Sequence, residues 1–283
     1  MKNKFMLENP KVSIVILNYN SYVDTIKIIE NIQRTIDYTN YNIIVIDNAS
    51  TNKSTEILRE KEEELNFILI ENSINGGYAA GNNIGIKHAY ELGAKYTWII
   101  NNDIILSDRE ILKKLVHLME NENDIGALSP IIYNLDASED CQYFFRPTIW
   151  DMTLGCLKYR KRRRNFKIKD SMIIYRPHGC CMILNNNIMN KIQYMDERTF
   201  LYCEEEILAE RLQNFGYYCW VCKDTSVIHN HSKTVYSVLK KKDIVKHTLN
   251  SYSIYLTEYR NIKNSLLIRL IKFIKGIIIY ISY

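Results

Sequence analysis

Trp98-Ile99-Ile100-Asn101-Asn102-Asp103 is an apolar run that stops abruptly at two amides and a carboxylate. A buried strand that delivers one aspartate to its C-terminal edge offers an oxygen ligand where a hard cation and phosphate oxygens can meet. Val12 to Leu17, Ile43 to Ile46 and Phe67 to Ile70 precede it as similar runs, and Tyr96 to Ile100 is the fourth. Apolar runs without alternation are expected of parallel strands covered on both faces. Tyr22 to Ile36, Ser54 to Leu65 and Ala79 to Leu92 lie between them with a helical pattern, and Gly93 supplies a stop for the last. This alternation predicts an α/β chain with a doubly wound, mostly parallel sheet. Ligands on such sheets bind beyond the carboxyl ends of the strands. Those ends are all polar here: Asn18-Tyr19-Asn20, Asp47-Asn48-Ala49-Ser50, Glu71-Asn72 and Asn101-Asn102-Asp103.

After about Pro130 the regularity falls away, and Asn134 to Asp170 reads as a long irregular insertion carrying the basic run Lys158 to Lys167. Insertions of this length inside a domain tend to be functional or mobile. A strand near Cys180 to Leu184, a helix from Glu204 to Phe215, and short strands at Tyr217 to Val221 and Ser226 to His229 restore order. At 283 residues and 47% hydrophobic content the chain can bury a substantial core. Its net charge of +5 is modest and regional, concentrated in Lys158 to Lys169 and after Lys240, which argues against nucleic acid as the main partner. Of the seven cysteines, Cys180 and Cys181 are adjacent, and Cys219-x-x-Cys222 has no second pair to complete a zinc site. Free thiols in a reducing cytosol are the expectation. Met1 to Pro10 has no apolar signal core, so nothing there marks the chain for secretion.

Several residues carry candidate chemistry. Asp47 can accept hydrogen bonds from a base edge or a ribose hydroxyl, or it can cap the helix that follows. Asn75-Gly-Gly-Tyr-Ala-Ala-Gly-Asn-Asn-Ile-Gly85 opens a helix and can bring backbone amides to a diphosphate, or its glycines can serve close helix packing. Asp103 is a candidate metal ligand. Glu204, Glu205 and Glu206 stand together at a helix start, where acids are favoured by the dipole, and one facing inward can act as a general base. His229-Asn-His231 follows an apolar strand and can supply an imidazole to a metal or a phosphate.

In order along the chain, Asn18-Tyr-Asn, Val-Ile-Asp47-Asn-Ala-Ser, the Asn75 loop, Ile-Asn-Asn-Asp103, Asp196-Glu197, Phe-Leu-Tyr-Cys-Glu204-Glu205 and His229 resemble glycosyltransferase family 2, more closely its rhamnosyltransferase-like branch. The resemblance runs from about Lys11 to Lys233 and implies a GT-A fold, a nucleoside-diphosphate sugar donor, a divalent cation (Mg²⁺ or Mn²⁺) and inversion at the anomeric carbon. It implies that Asp47, with Asn18 and Asn48, holds base and ribose, and that Gly76, Gly77, Asn82 and Asn102 border the diphosphate. Asp103 matches the last acid of the family's D-x-D element, His229 a histidine near the metal, and Glu205, with Glu204 beside it, the acceptor-activating base. Two departures stand out: Asn101 and Asn102 replace acids, and the base position carries Glu where the family usually has Asp. The same resemblance implies a catalytic domain over 1–235, with a nucleotide-sugar half to about 130 and an acceptor half beyond. The donor is expected to be dTDP- or UDP-linked rhamnose or hexose, and the acceptor a glycan or a polyprenyl-diphosphate-linked sugar in surface polysaccharide synthesis on the cytoplasmic face.

Leu266 to Tyr283 is rich in Ile, Leu and Tyr but interrupted by Arg269, Lys272 and Lys275, a poor span for a bilayer and a fair interfacial helix. The expectation for 236–283 is therefore a helical extension in peripheral contact with membrane. Two other functions compete. A nucleotidyltransferase would share the strand-end acids, but its Gly-rich loop would follow the first strand, where Asn18-Tyr-Asn-Ser-Tyr has no glycine. A nucleic-acid-binding module would use Lys158 to Lys167 with Tyr159 and Phe166.

Overall fold

Val12–Asn18 (β1), Tyr41–Asn48 (β2), Ile68–Asn72 (β3) and Tyr96–Ile100 (β4) are the four expected strands, and they pair in parallel in the order β3-β2-β1-β4. The computed structural model describes residues 9–140, 144–230 and 240–282. Val12, Ile14, Val15, Ile16, Ile44, Val45 and Ile46 have no exposed surface, as strands sandwiched between helices require. Tyr22–Thr35 (α1) buries Ile28, Ile29 and Ile32 on one side of the sheet. Gly77–Glu91 (α3) packs on the other side, against β1 and β2. Ser54–Lys61 (α2) joins β2 to β3.

Beyond β4 the sheet continues with Cys181–Asn185 (β8), Ile125–Asn134 (β6) and Tyr218–His229 (β9) in the order β4-β8-β6-β9. β8 is antiparallel to β4 and β6, while β6 and β9 run parallel to each other. Two short strands, Ile104–Ile105 (β5) and Met172–Ile174 (β7), both pair antiparallel with β9. The sheet is thus mostly parallel, as expected, with a mixed second half.

Several expectations are corrected here. Regularity does not end at Pro130: β6 runs through it, and Ile111–Asn121 (α4), which the sequence reading passed over, packs beneath with Ile111, Leu112 and Leu115 buried. The two short strands after Tyr217 are one strand, whose pairing with β6 slips between Pro130 and Ile131. A register slip of this kind breaks the burial pattern that a sequence scan uses to join segments. The irregular insertion holds two helices, Ile149–Met152 (α5) and Cys156–Asn165 (α6), and α6 carries most of the basic run. His231 lies outside the described residues.

The C-terminal part forms Asn186–Lys191 (α7), Glu204–Asn214 (α8), Lys241–Ile254 (α9), a π-helical turn at Tyr255–Tyr259 and Ser265–Ser282 (α10). Tyr252, Tyr255, Leu256 and Ile271 close a third apolar cluster over Cys203 and Ile207 of the α8 entry and Met152 of α5. α10 therefore lies with Ile271 and Ile279 inward, while Leu266, Leu270, Phe273, Ile277 and Tyr280 are exposed. The narrow Ser265, Arg269, Lys272 and Gly276 face lines a groove of about 880 Å³ shared with Val245 and Leu249 of α9.

The glycines of α3 let it approach the sheet. A Cβ on Gly81 would stand 2.5 Å from Leu17 Cδ1, and one on Gly85 2.5 Å from Val15 Cγ1. Gly85→Ala should therefore destabilise the protein by about 1–3 kcal/mol despite a helix-propensity gain of about 1 kcal/mol. A fall in the urea midpoint at unchanged slope is the expected reading, and an unchanged midpoint would show that α3 can move away at no cost.

Candidate active site

The ends of β1, β2 and β4 are joined by a buried polar network. Asp47, 1% exposed, accepts hydrogen bonds at Oδ1 from Asn18 Nδ2 (2.6 Å) and Ser50 Oγ (2.6 Å). Its Oδ2 accepts from Thr55 Oγ1 (2.7 Å) and the Ser50 amide (3.2 Å). Asn18 Oδ1 in turn accepts from Thr25 Oγ1 (2.9 Å) and Ser21 Oγ (3.3 Å). Those two hydroxyls accept from Asn102 Nδ2, at 2.7 Å for Ser21 and 3.1 Å for Thr25. Asn48 is equally interior, donating to Asn75 Oδ1 (2.9 Å) and the Gly77 carbonyl (3.3 Å) and accepting from Asn72 Nδ2 (3.0 Å). Asp47, Asn18 and Asn48 thus spend their hydrogen bonds inside the protein. These bonds hold the loops at the strand ends where the base and ribose are expected. Asn20, in the left-handed region at φ 56°, clasps the β1 and β2 loops by accepting from the Thr51 amide at 2.8 Å.

The Asn75 loop bends through Gly77 at φ +86°, and a Cβ there would collide with the Phe200 carbonyl. The Tyr78 amide donates to that carbonyl at 3.0 Å. Asn82 is fully buried and donates to the Tyr78 carbonyl (2.9 Å), while its amide oxygen has no partner among the described residues. Its neighbour Asn83, which the sequence reading did not single out, clamps the Asp196-Glu197 segment, donating to the Met195 carbonyl and to Glu197 Oε1, each at 2.9 Å. Burial pushes the Asp196 carboxyl up, but hydrogen bonds from Arg198 (Nη2, 2.6 Å) and Tyr259 (2.7 Å) outweigh it and hold it at about 2.

From this clamped segment the chain enters α8 through Tyr202 and Cys203, both left-handed at φ 64° and φ 73°. Two consecutive non-glycine residues in that region cost free energy, and such conformations cluster at functional sites. The turn separates the three acids. Glu204 is 4% exposed, and Oε1 has no hydrogen-bond partner among the described residues. Burial first, then the neighbouring Glu205 carboxylate, raises its pKa well above the ordinary range. Burial without a hydrogen-bond partner on Oε1 among the described residues makes Glu204 a poorer candidate for the base than Glu205. Glu205 accepts from the Gly179 amide at 3.2 Å and lies 3.7 Å from Arg176 Nη1, while Glu206 Oε1 is 3.1 Å from Arg176 Nε.

Asp103 Oδ2 and His229 Nε2 stand 3.3 Å apart, joined by the β5–β9 pairing, which puts Ile104 opposite His229. An oxygen and an imidazole nitrogen converging in this way suit a divalent cation that takes its other ligands from phosphate and water. No group of three or more His, Cys, Asp or Glu side chains gathers for a metal among the described residues, so the protein would supply these two. Beside them lies a second pair missed by the sequence reading, His178 Nε2 and Asp140 Oδ2 at 3.0 Å, with the two imidazole rings 5.9 Å apart and edge to face. The signal was present as His178-Gly179 just before a buried strand. Tyr78 donates to the Gly179 carbonyl, so one glycine joins the phosphate-side loop and the Glu205 carboxylate. The common centre is evident at Cys180: burial pushes its thiol up, and Cys181, Asp103, Asp140 and Glu205 push it further.

A family model described as glycosyl transferase family 2 matches residues 13–192. The chain is 24% identical over 259 residues, 88% of its length and 79% of the relative's, to a low-salt glycan biosynthesis hexosyltransferase of Haloferax volcanii. It is 29% identical over 198 residues, 68% of its length and 61% of the relative's, to an uncharacterized glycosyltransferase of Methanocaldococcus jannaschii. The fold is shared with a mannosyltransferase from Pyrobaculum calidifontis in complex with GDP-mannose and Mn²⁺, at a TM-score of 0.61 and 17% identity over 95% of this chain and 69% of that one.

The raised pKa of Glu204 has a measurable consequence. Its folded pKa lies above the unfolded value of about 4.3, so folding takes up a proton above that pH and this contribution to stability is lost as pH rises. Glu204→Gln, which mimics the neutral acid, should match the wild type at pH 4 and exceed it at pH 8 in denaturant titrations. A variant less stable than wild type at pH 8 would mean that Glu204 is charged in the folded protein.

Proposed function

The chain belongs to glycosyltransferase family 2 and has the GT-A fold, and from that premise we propose that it is an inverting transferase whose general base is Glu205. The observation that carries this reading is the position of that carboxylate. It is held by the Gly179 amide and Arg176, and the residue before Gly179, His178, has its ring 5.9 Å from that of His229, which stands 3.3 Å from Asp103. In the proposed reaction Glu205 takes the proton of an acceptor hydroxyl as its oxygen attacks the anomeric carbon from the face opposite the nucleotide. Asp103 and His229 hold a divalent cation, Mg²⁺ or Mn²⁺, which when bound supplies positive charge beside the departing diphosphate. Gly76 and Gly77 bring backbone close to the diphosphate, and Asn102 fixes the loop of Asp103 to α1. The His178 and Asp140 pair borders the same centre.

The donor we propose is a dTDP- or UDP-linked rhamnose or hexose, and the acceptor a glycan or a lipid-linked sugar of surface polysaccharide synthesis. Work at the cytoplasmic membrane surface is supported by α10. Its outward stripe of Leu266, Leu270, Phe273, Ile277 and Tyr280 is flanked by Arg269 and Lys272, and no acidic residue follows Glu258. No helix among the described residues is long and apolar enough to cross a membrane. An apolar stripe with a basic border suits an anionic lipid surface.

Binding is tested by thermal stabilisation with UDP, dTDP, GDP, CDP and ATP, each with and without Mn²⁺. A ligand at a hundred times its Kd adds about 2.7 kcal/mol. One diphosphate should stabilise in a metal-dependent way, and a response to ATP but to no diphosphate would turn the reading to nucleotidyl transfer. Glu205→Gln should lower turnover by about 10²- to 10⁴-fold while sparing that stabilisation, and Asp103→Ala should lower both. Near-normal turnover of Glu205→Gln would sink the base assignment. Leu270→Asn with Phe273→Asn should reduce sedimentation with phosphatidylglycerol vesicles, and undiminished sedimentation would exclude α10 as the contact.

A further inference from the structure

A second cavity, of about 320 Å³, opens between α5, α6 and the C-terminal helices. Its size is at the lower end of ligand sites, which run to about 300–1,000 Å³. Glu206 lines it, and Arg160, Arg163 and Lys275 converge on it from two different elements, α6 and α10. Arg160 and Arg163 are three residues apart and so share one face of α6, whereas Lys161 and Arg164 do not line the cavity. Arg160 and Lys275 form no ion pair among the described residues, and Lys275 rests over the Tyr252 ring at 5.1 Å. The two acids that line the cavity are already engaged: Glu206 with Arg176 Nε at 3.1 Å, and Asp151 with the Thr148 amide (3.0 Å) and Arg162 (3.6 Å). Like charges are not brought together over a partly enclosed space without cost, and an anion offsets that cost.

The walls are fixed and amphipathic. Tyr255 and Tyr175 share a 2.7 Å hydrogen bond, Tyr175 donates to Glu210 at 2.7 Å, and Glu210 is gripped by Arg146 at 2.8 and 2.6 Å. Met152, Ile278 and Ile279 supply apolar surface, so the cavity presents cations beside an apolar wall.

We propose that this cavity binds a phosphate or diphosphate ester carried by the acceptor, held by Arg160, Arg163 and Lys275. The inference rests on the transferase reading and extends it to the acceptor. Arg176 links the cavity to the base, since one guanidinium touches both Glu206 and Glu205. An acceptor anchored there by its phosphate lies one residue of α8 from Glu205. Met152, Ile278 and Ile279 give a lipid tail an apolar wall to lie against.

The test is isothermal titration of the full chain, in EDTA, with farnesyl diphosphate, inorganic pyrophosphate and farnesol. Arg160→Gln with Arg163→Gln should weaken diphosphate binding at least tenfold, whereas Lys161→Gln with Arg164→Gln, which removes the same charge from outside the cavity, should stay within twofold. Tighter binding of farnesyl diphosphate than of pyrophosphate identifies a lipid-linked acceptor, and equal binding a free sugar phosphate. Equal losses in the two double variants, no loss in either, or no binding of any diphosphate would overturn the proposal. The nucleotide-induced thermal shift is read on the same proteins with Mn²⁺ in place of EDTA. Its absence from the wild type would count against the donor reading alone, and its loss in Arg160→Gln with Arg163→Gln would mean general damage and not loss of an acceptor site.

Discussion

The Asp47 carboxylate is a buried charge with four hydrogen bonds, and the carboxyl edge of the sheet is organised around satisfying it. Leaving such a group unpaired costs several kcal/mol, so its partners are constrained in position as well as in type. Asn18 must sit at the end of β1, Ser50 and Thr55 must come from the loop and helix after β2, and Thr25 must hold the far side of Asn18. Asn102 completes the chain from β4, which fixes the residue after it, Asp103, over the gap between β1 and β4. The candidate metal ligand is positioned by bonds that end at an aspartate two strands away.

A similar logic fixes the candidate base, Glu205. Gly77 admits the Phe200 carbonyl, Asn83 clamps Met195 and Glu197, and Tyr259 and Arg198 hold Asp196. The segment between these anchors is pressed into the left-handed turn at Tyr202 and Cys203. That turn decides which of three adjacent acids is buried, which meets Gly179 and which meets Arg176. The strain is offset by the anchors, and the result is one carboxylate held by Gly179 and Arg176 and a buried acid beside it.

The C-terminal helices contribute through packing. Tyr252, Tyr255 and Leu256 cover Cys203 and Ile207, so the entry to α8 is buried by a part of the chain some fifty residues later. The insertion folds back through α5 and α6 onto the same cluster, and its basic face and α10 together enclose the cavity beside Glu206.

The sequence alone determined the strands and helices as far as β4, because apolar runs and helical spacing are local properties that burial on both faces writes directly into residue order. It also determined that Asn18, Asp47, Asn102, Asp103, Glu205 and His229 belong to polar ends of those elements. The tertiary structure decided what each polar group does. Asp47 and Asn48 are strand-end polar residues in the sequence, and in the fold they also hold neighbouring loops, because hydrogen-bond partners such as Asn72 and Thr55 reach them only through chain packing. β6 and the length of β9 were hidden by a register slip, which is a relation between strands and leaves no mark on either one. Adjacent glutamates are chemically alike in sequence. Only the turn before them and the partners around them, Gly179 and Arg176, give them different surroundings, and surroundings set both protonation and reach.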